Sequence, residues 1–71
     1  MALVRKLEEQ KLEKDSPHME VECTYSIVDG QYLQIDTYGS KERQIPGKKS
    51  QSIRFAPEAI AQLKTLLQEH F

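Results

Sequence analysis

Ser26-Ile27-Val28-Asp29-Gly30-Gln31-Tyr32-Leu33-Gln34-Ile35-Asp36 decides the fold of this chain, because two alternating runs meet there at an aspartate-glycine pair. Upstream, Met19, Val21, Cys23, Tyr25 and Ile27 alternate with Glu20, Glu22, Thr24 and Ser26, the pattern of a half-buried strand. Downstream, Gln31 to Tyr38 reads as a second strand with Leu33 and Ile35 as its apolar face. A two-residue Asp29-Gly30 loop would set Ser26 against Leu33 and Thr24 against Ile35, mixing the faces. A three-residue Val28-Asp29-Gly30 loop pairs Tyr25 with Leu33 and Cys23 with Ile35, and it puts Gly30 where a left-handed residue is wanted. The three-residue loop is therefore expected.

Beyond the hairpin, Gly39-Ser40 should mark a bulge or bend, and Ile45-Pro46-Gly47-Lys48 fits a type II turn. Residues 40 to 45 suit either a further strand or a loop. Ser50 to Phe55 reads as a strand with Ile53 and Phe55 inward and Arg54 outward. Ala56-Pro57-Glu58 then signals a helix start, since proline is tolerated in the first turn and an acid there complements the dipole. Ile60, Leu63, Leu66 and Leu67 form one stripe of that helix. The fold expected for residues 19 to 71 is α+β: a three- to four-stranded antiparallel β-meander packed against a C-terminal amphipathic helix.

Residues 1 to 18 read differently. Ala2 to Asp15 is rich in strong helix formers with spaced opposite charges, and Ser16-Pro17 stops the run. A separate N-terminal helical appendage is expected, frayed or docked only in a dimer, because an isolated helix of this length is marginal in water. The composition also changes abruptly at Pro17-His18-Met19, so a leader ending before Met19 is the alternative.

The chain has 71 residues, a hydrophobic fraction of 38% and a formal net charge of -1. A domain of this size buries only about 60% of its unfolded surface. A deep active site is disfavoured, and a homodimer would help the fold cover its core. Cys23 is the single cysteine, so no internal disulfide exists, and a cytoplasmic setting is expected. No run is long enough to span a membrane. The near-neutral total hides an asymmetry along the chain. Residues 19 to 40 carry Glu20, Glu22, Asp29 and Asp36 with no Lys or Arg, whereas residues 41 to 54 carry Lys41, Arg43, Lys48, Lys49 and Arg54 against Glu42.

Chemistry has few candidates. Cys23 falls on the apolar face of the first strand, where a thiol is inert core. His18 and His70 have no partner in sequence, and one Cys with two distant His gives no metal spacing. The turn accounts for Asp29, and the solvent face accounts for Asp36. No enzyme, cofactor or metal is expected. The remaining signal is the face bearing Tyr32, Gln34, Asp36 and Tyr38, opposite Leu33 and Ile35, together with the basic segment. Aromatic rings next to cations suit single-stranded nucleic acid, because bases stack on rings while Lys and Arg track phosphates. The candidate residues are Lys41, Arg43, Lys48, Lys49, Arg54, Tyr32 and Tyr38. The competing expectation is a protein-interaction or assembly module.

Pro46 to Lys64, P-G-K-K-S-Q-S-I-R-F-A-P-E-A-I-A-Q-L-K, together with Ser26 to Asp36, resembles the conserved domain of the transcriptional positive cofactor four family. The chain is equally similar to short uncharacterised bacterial proteins. The family resemblance implies a curved antiparallel sheet with one helix, dimerised through helix and sheet and binding single-stranded DNA. It matches Lys48 and Lys49 to the family's basic turn and places Arg54 on the strand after it.

Overall fold

In a computed structural model, the described residues form, in order, β1 (Ala2–Val4), β2 (Cys23–Val28), β3 (Tyr32–Tyr38), β4 (Lys49–Phe55) and α1 (Pro57–His70). The structure describes residues 1–18, 20–38 and 49–71, with only the backbone at 49 and 50. The strands form one sheet in the order β1-β4-β3-β2. The expected bend at Gly39-Ser40 and the turn at Ile45 to Lys48 lie outside the described residues.

The hairpin loop is three residues long, as the sequence predicts, but it spans Asp29-Gly30-Gln31. Val28 therefore pairs with Tyr32, Ile27 with Leu33, Tyr25 with Ile35 and Cys23 with Thr37. This corrects the expected pairs of Tyr25 with Leu33 and Cys23 with Ile35. A shift of two residues leaves every side chain on its face, so apolar alternation cannot separate the two registers. Turn chemistry decides between them. Asp29 and Gly30 both take positive φ, 54° and 66°, and the Gln31 N–H donates to the Val28 carbonyl at 3.0 Å. An Asp-Gly pair is what such left-handed turns favour, because aspartate tolerates positive φ and glycine has no Cβ to clash.

The N-terminal helix is not seen. Ala2, Leu3 and Val4 instead form an edge strand parallel to β4, with Ala2 opposite Ile53 and Val4 opposite Phe55. The sheet is thus mixed, not purely antiparallel. Helix propensity is a weak preference, and the open edge of β4 offers backbone hydrogen bonds that a solitary helix of this length would have to do without. The chain then runs along α1: Arg5 pairs with Glu58 at 3.1 Å, and the Leu7 backbone exchanges two hydrogen bonds with the Gln62 side chain.

Antiparallel pairing of β3 and β4 sets Leu33 opposite Phe55 and Ile35 opposite Ile53. Between Thr37 and Tyr38 the partner skips from Gln51 to Lys49, which places a bulge at Ser50. Pairing assigns Ala2, Val4, Ile53, Phe55, Leu33, Ile35, Tyr25 and Ile27 to one face. Helix α1 starts at Pro57, as expected, with Ala56 as its N-cap and Glu58 in its first turn. Only its beginning seats firmly: Ala56 and Ala59 are fully buried, Ile60 and Leu63 are half-buried, and Leu66, Leu67 and Phe71 are exposed.

Candidate functional site

The sheet presents two contrasting surfaces. On the polar face, β3 contributes Tyr32, Gln34, Asp36 and Tyr38 in one row, and β4 contributes Arg54 opposite Gln34 and Ser52 opposite Asp36. Alternation along a central strand puts these residues together, since every second side chain shares a face. Arg54 Nε donates to Gln34 Oε1 at 3.1 Å, and its Nη2 donates to the same oxygen. Gln34 Nε2 then donates to Asp36 Oδ1 at 3.0 Å, and the Ser52 hydroxyl donates to that oxygen at 2.6 Å. Gln34 and Asp36 are buried, and among the described residues no buried side-chain polar atom lacks a partner. A buried carboxylate is tolerated only when hydrogen-bonded, and this one is.

Tyr32 and Tyr38 stand half-buried at the two ends of the row, and the Tyr38 hydroxyl shares a 3.3 Å hydrogen bond with Thr24. Of the predicted residues, the structure therefore brings Tyr32, Tyr38 and Arg54 to one face. Lys49 lies on β4 opposite Tyr38 by its backbone. Lys41, Arg43 and Lys48 lie outside the described residues. Sequence reading placed Gln34 and Asp36 on this face without giving them a role, assigned Asp36 to solvent, and passed over Ser52. The signal was present as a Gln-x-Asp spacing on one strand and a Ser-x-Arg spacing on another, which antiparallel pairing brings face to face.

The other face is apolar and incompletely covered. Tyr25 is 75% exposed and Ile27 63%, and among the described residues no large side chain is fully enclosed. An open groove of ≈ 540 Å³ runs between Ile27 and Leu33 on the sheet and Pro57 and Ile60 on the helix. A second, of ≈ 510 Å³, lies between Met1, Ala2, Ile35 and Ile53. Cys23 is exposed, which corrects its expected place in the core. The reason is topological: β2 is a sheet edge, and α1 contacts β3 and β4 instead.

The clasp between the N-terminal segment and the helix perturbs one carboxyl. The Glu58 carboxyl is held below its ordinary value first by a backbone N–H at the start of α1 and then by the Arg5 guanidinium. Among the described residues, no cluster of three His, Cys, Asp or Glu could hold a metal, and no helix is long and apolar enough to cross a membrane. Comparison with protein families, with curated proteins and with solved structures finds no match for this chain.

Proposed function

We propose that this chain is a small non-enzymatic assembly module that works as a homodimer, completing through association a core that one copy leaves open. The observation carrying this reading is the apolar sheet face, where Tyr25 and Ile27 stand exposed; Leu66, Leu67 and Phe71 of the helix are exposed as well. Large apolar side chains exposed together on one sheet face mark an interaction site. A non-enzymatic role agrees with the open character of the grooves and with the separation of Cys23, His18 and His70 along the chain. Light scattering from micromolar to submillimolar concentration tests the proposal, with thermal unfolding followed over the same range. Association should double the mass and raise the melting temperature with concentration. A monomer throughout, with an unchanging melting temperature, overturns it. Replacing Lys48 and Lys49 by Ala should leave association intact.

A second reading rests on the other face. Tyr32, Tyr38 and Arg54 share it, and stacking rings beside a cation suit single-stranded nucleic acid. Two features weigh against making it the leading reading. Arg54 already gives two donors to Gln34, and Asp36 stands at the centre of the row. Fluorescence titration with a short single-stranded oligonucleotide at low salt decides it: salt-sensitive binding lost in Tyr32→Ala and Arg54→Ala supports it, and no binding rejects it.

A further inference from the structure

Strand β2 is an outer edge of the sheet, and its six residues, Cys23-Thr24-Tyr25-Ser26-Ile27-Val28, carry no charge and no proline. Edge strands that remain solitary are ordinarily short or protected by Lys, Pro or a bulge. The opposite edge follows that rule: β1 has three residues and leads directly into Arg5, which is clasped to Glu58. Edge β2 has none of these protections, and all its residues except Val28 are exposed.

We propose that β2 is the self-association edge, pairing antiparallel with β2 of a second copy so that the two sheets become one. This rests on the assembly reading and deepens it by naming the surface and the register. The Tyr38 N–H donates to the Glu22 carbonyl, so Glu22, Thr24, Ser26 and Val28 turn their backbone groups toward β3. Cys23, Tyr25 and Ile27 consequently turn their N–H and C=O groups outward. A two-fold axis through such a pair stands perpendicular to the sheet and keeps like faces together. Only registers that oppose residues of the same face are therefore allowed. The register with Tyr25 opposite its own copy sets Cys23 against Ile27 of the partner subunit. All three outward residues are then used, forming roughly six hydrogen bonds. Of the two neighbouring allowed registers, the one centred on Ser26 pushes Cys23 against the turn residue Asp29, and the one centred on Thr24 sets Ile27 against Val21, outside the strand.

The occupant is a second copy because the strand is self-complementary. Read outward from Tyr25, its side chains run polar then apolar in both directions, Ser26 and Ile27 one way and Thr24 and Cys23 the other. The pairing also sets Tyr25 and Ile27 of both copies side by side on the apolar face, where each copy alone leaves them exposed. At each end of the paired segment Glu22 of one copy approaches Asp29 of the other, so added salt should tighten the dimer by screening like charges. An edge pairing is small beside the roughly 1,200–2,000 Å² of a stable interface, and the dissociation constant should be about micromolar or weaker.

Mild oxidation of Ile27→Cys tests the register. Residues opposed in such a pair have Cα atoms about 5.5 Å apart, within disulfide reach, so the variant should yield a covalent dimer reversed by reductant. Wild-type protein should not, because its two Cys23 residues would lie about 14 Å apart, four residues of rise combined with the spacing between the strands. A variant that stays monomeric under oxidation, or wild type that cross-links equally well, overturns the proposal. Tyr25→Pro gives an independent reading. Its missing N–H is one of the outward groups, so pairing with β3 survives, and the chain should be folded by circular dichroism and monomeric by light scattering. If wild type doubles in mass but Ile27→Cys does not cross-link, the assembly reading stands and the β2 edge falls. If wild type never doubles in mass, both fall.

Discussion

The two faces of this sheet reach different ends with the same four strands. On the polar face, Arg54, Gln34, Asp36 and Ser52 satisfy one another within a single copy, and Gln34 and Asp36 are buried with their hydrogen bonds made. On the apolar face, β3 and β4 receive the start of α1, but Tyr25 and Ile27 on β2 receive nothing comparable. Polar groups can be completed by two or three well-placed neighbours. Apolar groups need surface area, and a 14-residue helix seated by its first half does not supply enough for four strands. A small domain can thus be closed in its hydrogen bonding and still open in its hydrophobic packing.

The largest effect that would break this contrast is expected at Phe55, which lies between Val4 and Leu33 where the helix seats. Phe55→Ala should cost roughly 2 kcal/mol of stability, about half the value for a fully enclosed ring because this one is half-buried. Urea unfolding measures it, and a loss below a few tenths would mean that the helix is not anchored there. Asp36→Ala probes the opposite face and should cost roughly 1–2 kcal/mol, since Gln34 Nε2 and the Ser52 hydroxyl lose a common acceptor. Asp36→Asn keeps an oxygen at that position and should recover much of the loss.

Such contrasts also explain what could be read in the sequence. Alternation in β2 and β3, the helix start at Pro57 and the sharing of a face by Tyr32, Tyr38 and Arg54 are local patterns, and all are legible from spacing. The fate of residues 2 to 15 is not local. Their helix-forming composition is genuine, but Ala2–Val4 respond to the open edge of β4, some fifty positions away, which no window along the chain contains. The hairpin register failed for a different reason: two registers two residues apart give identical faces, and only the turn backbone distinguishes them. Exposure of Cys23 followed from strand order, which places β2 at an edge and the helix elsewhere.

A smaller effect is expected at that turn. Gly30 has φ of 66°, and a Cβ built there would meet nothing within 4 Å. Gly30→Ala should therefore cost about 1 kcal/mol from backbone conformation alone, with no steric clash to add to it. A loss several times larger in urea unfolding would show that packing at the turn, and not its left-handed backbone, fixes the register of β2.

The smallest effect concerns the clasp that holds the N-terminal segment to α1, and it sharpens the contrast between the two sheet edges. Glu58 has a folded value below 4.5, set by a backbone N–H at the helix start and by Arg5. A depressed carboxylate stabilises the fold above its unfolded value, and the contribution disappears as pH falls through the folded one. Acidification below about pH 4.5 should therefore loosen the Arg5 contact while leaving the Leu7 bonds to Gln62, which do not titrate, in place. Hydrogen exchange at the Leu7 N–H, compared between wild type and Glu58→Gln, separates the two contributions. Exchange in wild type should rise toward the level of the variant as pH falls, after correction for the intrinsic rate. Identical exchange at neutral pH would show that the ion pair, exposed on both sides, adds nothing to the clasp, and that the β1 edge is protected by Gln62 and backbone pairing alone.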